Sequence, residues 1–271
     1  MRVYLISFFF TAIYVVSLYT FPVARPRPSL NRNDPKVITA RCISVLLASS
    51  VCCILTRLII GPSLNVFTFP TDQVLKSLLH AATIFIGPLY EVWIVDKEYR
   101  LFFIHLKDCL SNAIAWRNII IGPLSEELTF RCCIVPICEA AGWSRLKIIF
   151  VAPLLFGMAH IHHTYEFLLA YPNAYIAAAL QTVVQFSYTT VFGWYTTHLF
   201  LSTHSLFPSF LVHAFCNSMG LPTLYGKIGN RNQTRIYYTL LLLGVLIFYM
   251  TWGITDFNNH QDFEPRLVPL N

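Results

Sequence analysis

Four stretches of this chain are long and apolar enough to cross a lipid bilayer: 4–21, 37–60, 74–95 and 237–255. A helix rising 1.5 Å per residue needs about 20 apolar residues to cross a hydrocarbon core about 30 Å thick. Segment 4–21 runs for 18 residues without a charge. It exceeds the usual signal-peptide core and no Ala-x-Ala site follows, so it reads as a span rather than a cleaved leader. The 271 residues are 56% hydrophobic and 12% charged, about half the charged fraction of an ordinary soluble domain. The expected solvent is therefore lipid.

Four more apolar segments, 116–141, 146–162, 174–199 and 207–221, carry Glu, Arg, His, Asn and Gln. Together the eight segments predict an all-α integral membrane protein. It is one polytopic domain over 1–271, a bundle of about eight transmembrane helices, with its chemistry in a core at about 116–221. Prolines 22, 26, 28 and 35 cluster between the first two segments, where helices are expected to stop. The formal net charge of +6 is scattered between apolar runs, without the basic stripe that nucleic-acid binding requires. The eight cysteines include no CxxC pair and sit mostly in apolar stretches; they read as small buried residues.

Twelve of the nineteen Lys and Arg residues fall in or beside three loops: Arg25, Arg27, Arg32, Lys36 and Arg41; Lys97, Arg100, Lys107 and Arg117; Lys227, Arg231 and Arg235. With eight spans these loops share one side, which the excess of cytosolic positive charge assigns to the cytosol. The sequon Asn232-Gln233-Thr234 falls in one of these loops and is expected to be unused. Residues 107–121 read as a helix lying on the membrane surface or as a plain loop.

The run Gly122-Pro-Leu-Ser-Glu-Glu-Leu-Thr-Phe-Arg131 places two carboxylates and a guanidinium in an apolar segment. At roughly 3 kcal/mol per charge at mid-bilayer they cost about 9 kcal/mol, which the surrounding apolar residues offset only by half. These groups must face other helices, a cavity or water. Glu127 and Arg131 are one helical turn apart and can pair, whereas Glu126 points about 100° away. One carboxylate is thus structural and the other free to react; an interhelical salt-bridge lock is the competing reading. A second insertion, Phe156-Gly-Met-Ala-His160, puts His160 one turn from Phe156, with His162 and His163 as the solvated end of that helix. In the third, His213-Ala-Phe-Cys-Asn217, two neutral donors project from one face, an arrangement shared by oxyanion sites and interhelical glue. Gln181 and Gln185 read as packing residues, and Arg57 and Lys76 as snorkelling side chains.

In order, Glu-Glu-x-x-x-Arg (126, 127, 131), Phe-x-x-x-His (156, 160) and His-x-x-x-Asn (213, 217) resemble the type II CAAX prenyl endopeptidases of the CAAX-protease and bacteriocin-processing family. The likeness covers about residues 122–220, with no departure at any of the six positions. It implies a bundle of eight transmembrane helices in the endoplasmic reticulum membrane. The implied activity removes the last three residues of farnesylated or geranylgeranylated CAAX proteins, such as small GTPases. By resemblance Glu126 and His160 activate water, His213 and Asn217 stabilise the oxyanion, and Glu127 and Arg131 support the site.

The chemistry suits these residues. Amide hydrolysis needs a base poised near neutrality, donors for the oxyanion and a proton for the leaving amine. A prenyl chain is a membrane anchor, so a site below the membrane surface, open to the cytosol, meets it without extracting the lipid. His160, His213 and a Glu could also form the two-His, one-carboxylate set of a catalytic zinc. The His-x-x-x-Asn pair is a poor ligand set and a good donor set, so the expected chemistry uses no cofactor. A membrane scaffold or a transporter relay with a polar packing core is the non-enzymatic alternative; neither the internal repeats nor the paired broken helices of transporters are visible. The final residues, Val268-Pro-Leu-Asn271, are not a CAAX box.

Overall fold

A computed structural model describes residues 1–61, 65–98 and 111–257, and these form helices and short connections, with no strand among the described residues. Part of segment 107–121, together with Arg100 and the chain end at 268–271, lies outside them.

Helix α1 (Arg2–Ser17) has 16 residues, about 24 Å at the helical rise. It stops four residues before the apolar run does. Helix α2 (Pro35–Ile60) starts where Asp34 accepts a hydrogen bond from the Lys36 N–H at 2.8 Å with Pro35 in the first turn, and ends at Gly61 with φ +82°. The third expected span is bent. Helix α3 (Thr71–Ile84) and helix α4 (Ile86–Tyr90, running on as a π turn through Val95) meet at 80°. Pro88 has no N–H to give the Ile84 carbonyl, which opens the ladder at this corner. A Cβ at Gly87 would stand 3.1 Å from the Tyr237 carbonyl oxygen, so the corner is held against the last helix.

Helix α5 runs from 113 to 140 and contains two π turns, Trp116–Ile121 and Phe130–Ile134. The described part of the expected surface helix is thus the first turns of α5 itself. Helix α6 (Arg145–Ala159) breaks at His160, and α7 (His162–Ala170) continues beyond it. Helices α8 (Tyr175–Thr203), α9 (Leu206–Met219) and α10 (Arg231–Met250) complete the bundle. Asn230 and Gln233 form a capping box at the start of α10. The sequon Asn232 therefore lies in a helical first turn and not in a loop.

Each of the eight apolar segments holds helix. Three stretches are long and apolar enough to span by length and composition (Pro35–Ile60, Arg145–Ala170 and Arg231–Met250), and a fourth is the bent pair. The others fall short for separate reasons: α1 and α9 have 16 and 14 residues, while α5 and α8 are interrupted by polar side chains. Glu127, Arg131, Thr196 and His198 among those polar side chains are turned inward. Phe130–Ile134 and Val135–Ile137 are buried against α1, α2 and α6, whereas Leu47, Leu58, Val183, Leu242 and Tyr249 stand exposed around the outside, the surface of a protein solvated by lipid.

Candidate active site

The carboxylate helix is built around its glycine and prolines. The Gly122 N–H bonds the Arg117 carbonyl, five residues back, and a Cβ at Gly122 would sit only 2.8 Å from that oxygen. In the same register the next donor would be Pro123, which has none. The Asn118 carbonyl is therefore open, and Asn217 Nδ2 donates to it at 2.9 Å. Helices α5 and α9 are tied together beside the glutamates by this bond. π turns often sit at functional sites, and here two of them bracket the Gly122–Thr129 α-helix that carries Glu126 and Glu127.

Behind the helix lies a buried polar network. Arg131 pairs with Glu127 at 3.2 Å, with both side chains buried to within 1%. Its Nη2 donates to Thr196 Oγ1 at 2.5 Å, and its guanidinium lies 4.4 Å from the centre of the Phe156 ring. Gly193 makes room: a Cβ there would meet Pro153 at 2.7 Å and Arg131 Nη2 at 3.4 Å. The i, i+4 pairing expected from the sequence is present. His213 joins the network through Nδ1, 2.8 Å from Glu127 Oε1. Because a carboxylate can only accept, the Nδ1 proton is directed at Glu127, and Nε2 is turned to Glu126 Oε2 at 3.6 Å.

On the other side of Glu126 is a cavity of about 190 Å³ whose wall includes Glu126, His160 and Asn217. The break after α6 sets His160 here: its Nδ1 lies 2.8 Å from the Phe156 carbonyl oxygen and its ring packs edge-on to Phe156 at 4.8 Å. Three of the four expected catalytic residues thus line one space, and the fourth, His213, bridges the two glutamates from behind. His213 and Asn217 have different partners, although the sequence suggested one pair of donors aimed alike.

His162 and His163 are not a solvated helix end. They open α7 and line the cavity, half-buried, with His162 Nδ1 2.6 Å from the Ala159 carbonyl oxygen. Gln181 and Gln185 face a neighbouring cavity with Arg32 and His163, so they are not simple packing residues. Among the described residues no group of three His, Cys, Asp or Glu side chains is arranged to hold a metal ion.

Several contributors escaped the sequence reading. Tyr14 of α1 meets Ser125 Oγ at 3.0 Å, and Ser49 of α2 donates to the Ser125 carbonyl at 3.0 Å. Arg41, counted there with the loop charges, is 7% exposed, and it reaches Glu166 at 2.5 Å while Tyr19 donates to the same carboxylate at 3.1 Å. Both Arg41 and Glu166 sit in apolar helices, and the cost of intramembrane charge that singled out Glu126 applied equally to them.

The sequence profile of the type II CAAX prenyl endopeptidase Rce1-like family matches residues 109–219. The CAAX prenyl protease 2 of Homo sapiens is 34% identical over 261 residues, covering 88% of this chain and 76% of that protein. That of Caenorhabditis elegans is 28% identical over 84% of this chain and 86% of the relative. The Arabidopsis thaliana protein is 42% identical over 117 residues, 43% of this chain and only 38% of the relative's length. No solved structure matches. The all-helical membrane architecture, the profile over the glutamate and histidine helices and a 34% identical relative aligned along most of both chains lead to one assignment: the chain belongs to the type II CAAX prenyl endopeptidase family.

Proposed function

We propose that this chain is an intramembrane endopeptidase that removes the C-terminal three residues of farnesylated or geranylgeranylated CAAX proteins, small GTPases among them. It would act in the endoplasmic reticulum membrane with its cavity open to the cytosol. The observation that carries this reading is that Glu126, His160 and Asn217 share one cavity while Arg131 is occupied by Glu127.

A water held between Glu126 and the accepting Nε2 of His160 loses a proton to the carboxylate as it attacks the scissile carbonyl, and the second amide hydrogen of Asn217 is a donor for the oxyanion that forms. Collapse of the tetrahedral intermediate expels the amine of the released tripeptide, which takes its proton from Glu126. His213, which does not line the cavity, is a positioning residue in this scheme rather than an oxyanion donor. Its Nδ1–H is given to Glu127 and its Nε2 faces Glu126 Oε2 at 3.6 Å, so the ring is wedged between the two glutamates and sets their spacing. This scheme uses no metal, and the preference rests on the donor set. Asn217, beside Glu126 and His160 in the cavity wall, is a donor and not a zinc ligand.

The test is to incubate the purified protein with a farnesylated CAAX peptide, before and after exhaustive chelation, and to identify the products by mass spectrometry. Release of the intact tripeptide at an unchanged rate after chelation is expected. Loss of activity restored by stoichiometric zinc would replace the metal-free scheme, and cleavage at another bond would overturn the reading.

A further inference from the structure

The cavity is electrically asymmetric. Its lining includes one carboxylate, Glu126, and three arginines, Arg32, Arg41 and Arg117. Arg32 and Arg41 are drawn to a single carboxylate, Glu166, at 3.2 and 2.5 Å. Arg117 has no carboxylate partner among the described residues. Its Nη1 donates to the Arg32 carbonyl at 2.9 Å and to Asn33 Oδ1 at 3.2 Å, and its Nε donates to Asn118 Oδ1 at 2.9 Å. A guanidinium has five N–H donors; these three bonds fix the plane of the group through neutral acceptors and leave both Nη2 hydrogens. A positioned cation with a free two-hydrogen edge in a cavity wall is suited to an anionic oxygen ligand.

Distance indicates which anion. Arg117 and Glu126 lie on one helix, nine residues apart, about 13 Å along the axis at 1.5 Å per residue. Three extended residues measure about 10 Å, and the reach of the arginine side chain covers the difference. We propose that Arg117 binds the free α-carboxylate at the end of the substrate chain, while the amide three residues before it lies against Glu126. Arg117 is then the residue that sets how many residues are removed. The arrangement also fixes the direction of the peptide, since the Glu126 carboxylate repels the chain terminus from its own end. This inference rests on the endopeptidase reading above and adds the group that measures the product.

The experiment compares two farnesylated CAAX peptides, one with a free C-terminal carboxylate and one ending in an amide, on the wild-type protein and on Arg117→Gln and Arg117→Lys. A charged hydrogen bond to the terminus predicts that the wild type prefers the acid about 10- to 100-fold in kcat/KM, mainly through KM. In Arg117→Gln the acid-to-amide ratio falls toward one, and in Arg117→Lys it lies between. The ratio does not depend on the fraction of folded enzyme. A wild-type ratio near one, or a ratio kept in Arg117→Gln whatever the absolute rates, overturns the proposal. A wild type that cleaves neither peptide overturns the endopeptidase reading and this inference with it.

Discussion

Glu126 and Glu127 are neighbours in the chain and occupy opposite environments. The region behind the helix is closed to solvent: Glu127 and Arg131 are buried to within 1%, with Thr196 and His213 among their partners. The region in front is open: Glu126, its side chain 20% exposed, borders a cavity with His160 and Asn217. A one-residue step on a helix turns the side chain about 100°, enough to divide a buried ion pair from a carboxylate that borders a cavity. Intramembrane charge is therefore no single category here. The buried pair ties α5 to α8 through Thr196 and to α9 through His213, and Glu126 takes no part in the ion pair with Arg131.

The comparison can be broken most directly from the closed side. Arg131→Met strands Glu127 in an apolar interior, and removing one member of a buried pair costs about 3–5 kcal/mol. Thermal unfolding in detergent should show that loss, and a midpoint within a few degrees of wild type would mean that the network is not a lock. On the open side, Asn217→Ala removes a donor beside the cavity together with its bond to the Asn118 carbonyl. If Asn217 stabilises an oxyanion, kcat should fall about 10²- to 10³-fold; a change in stability alone would make the residue a tie between helices. A smaller effect tests how the lock is housed. Gly193→Ala pushes a methyl group against Pro153 and Arg131 and should cost about 1–3 kcal/mol by overpacking, measured by the same unfolding assay. No loss there would mean that α6 and α8 have slack beside Arg131.

Much of this organisation was legible in the chain. Apolar length marked each helical segment, and the spacing of Glu127 and Arg131 announced their contact, because both follow from local helical geometry. The 80° corner between Ile84 and Ile86 was missed although Gly87-Pro88 signalled it: hydropathy sums over a break that a proline makes locally. The partners of His213 and of Arg41 were not legible, since each depends on a residue more than 80 positions away and periodicity within one helix carries no such information. The Asn217 bond to Asn118 lies between these cases. Pro123 guaranteed an open carbonyl nearby, but only the packing of α9 against α5 says which side chain fills it.

The central claim is that Glu126 is spent on chemistry and Glu127 on structure, and one paired measurement on Glu126→Gln tests it. The turnover of a farnesylated CAAX peptide and the unfolding midpoint are read from the same preparation. Loss of the base should lower turnover by about 10²- to 10⁴-fold while the midpoint stays within a few degrees of wild type. Turnover kept at the wild-type level, or lost only in step with unfolding, would contradict it.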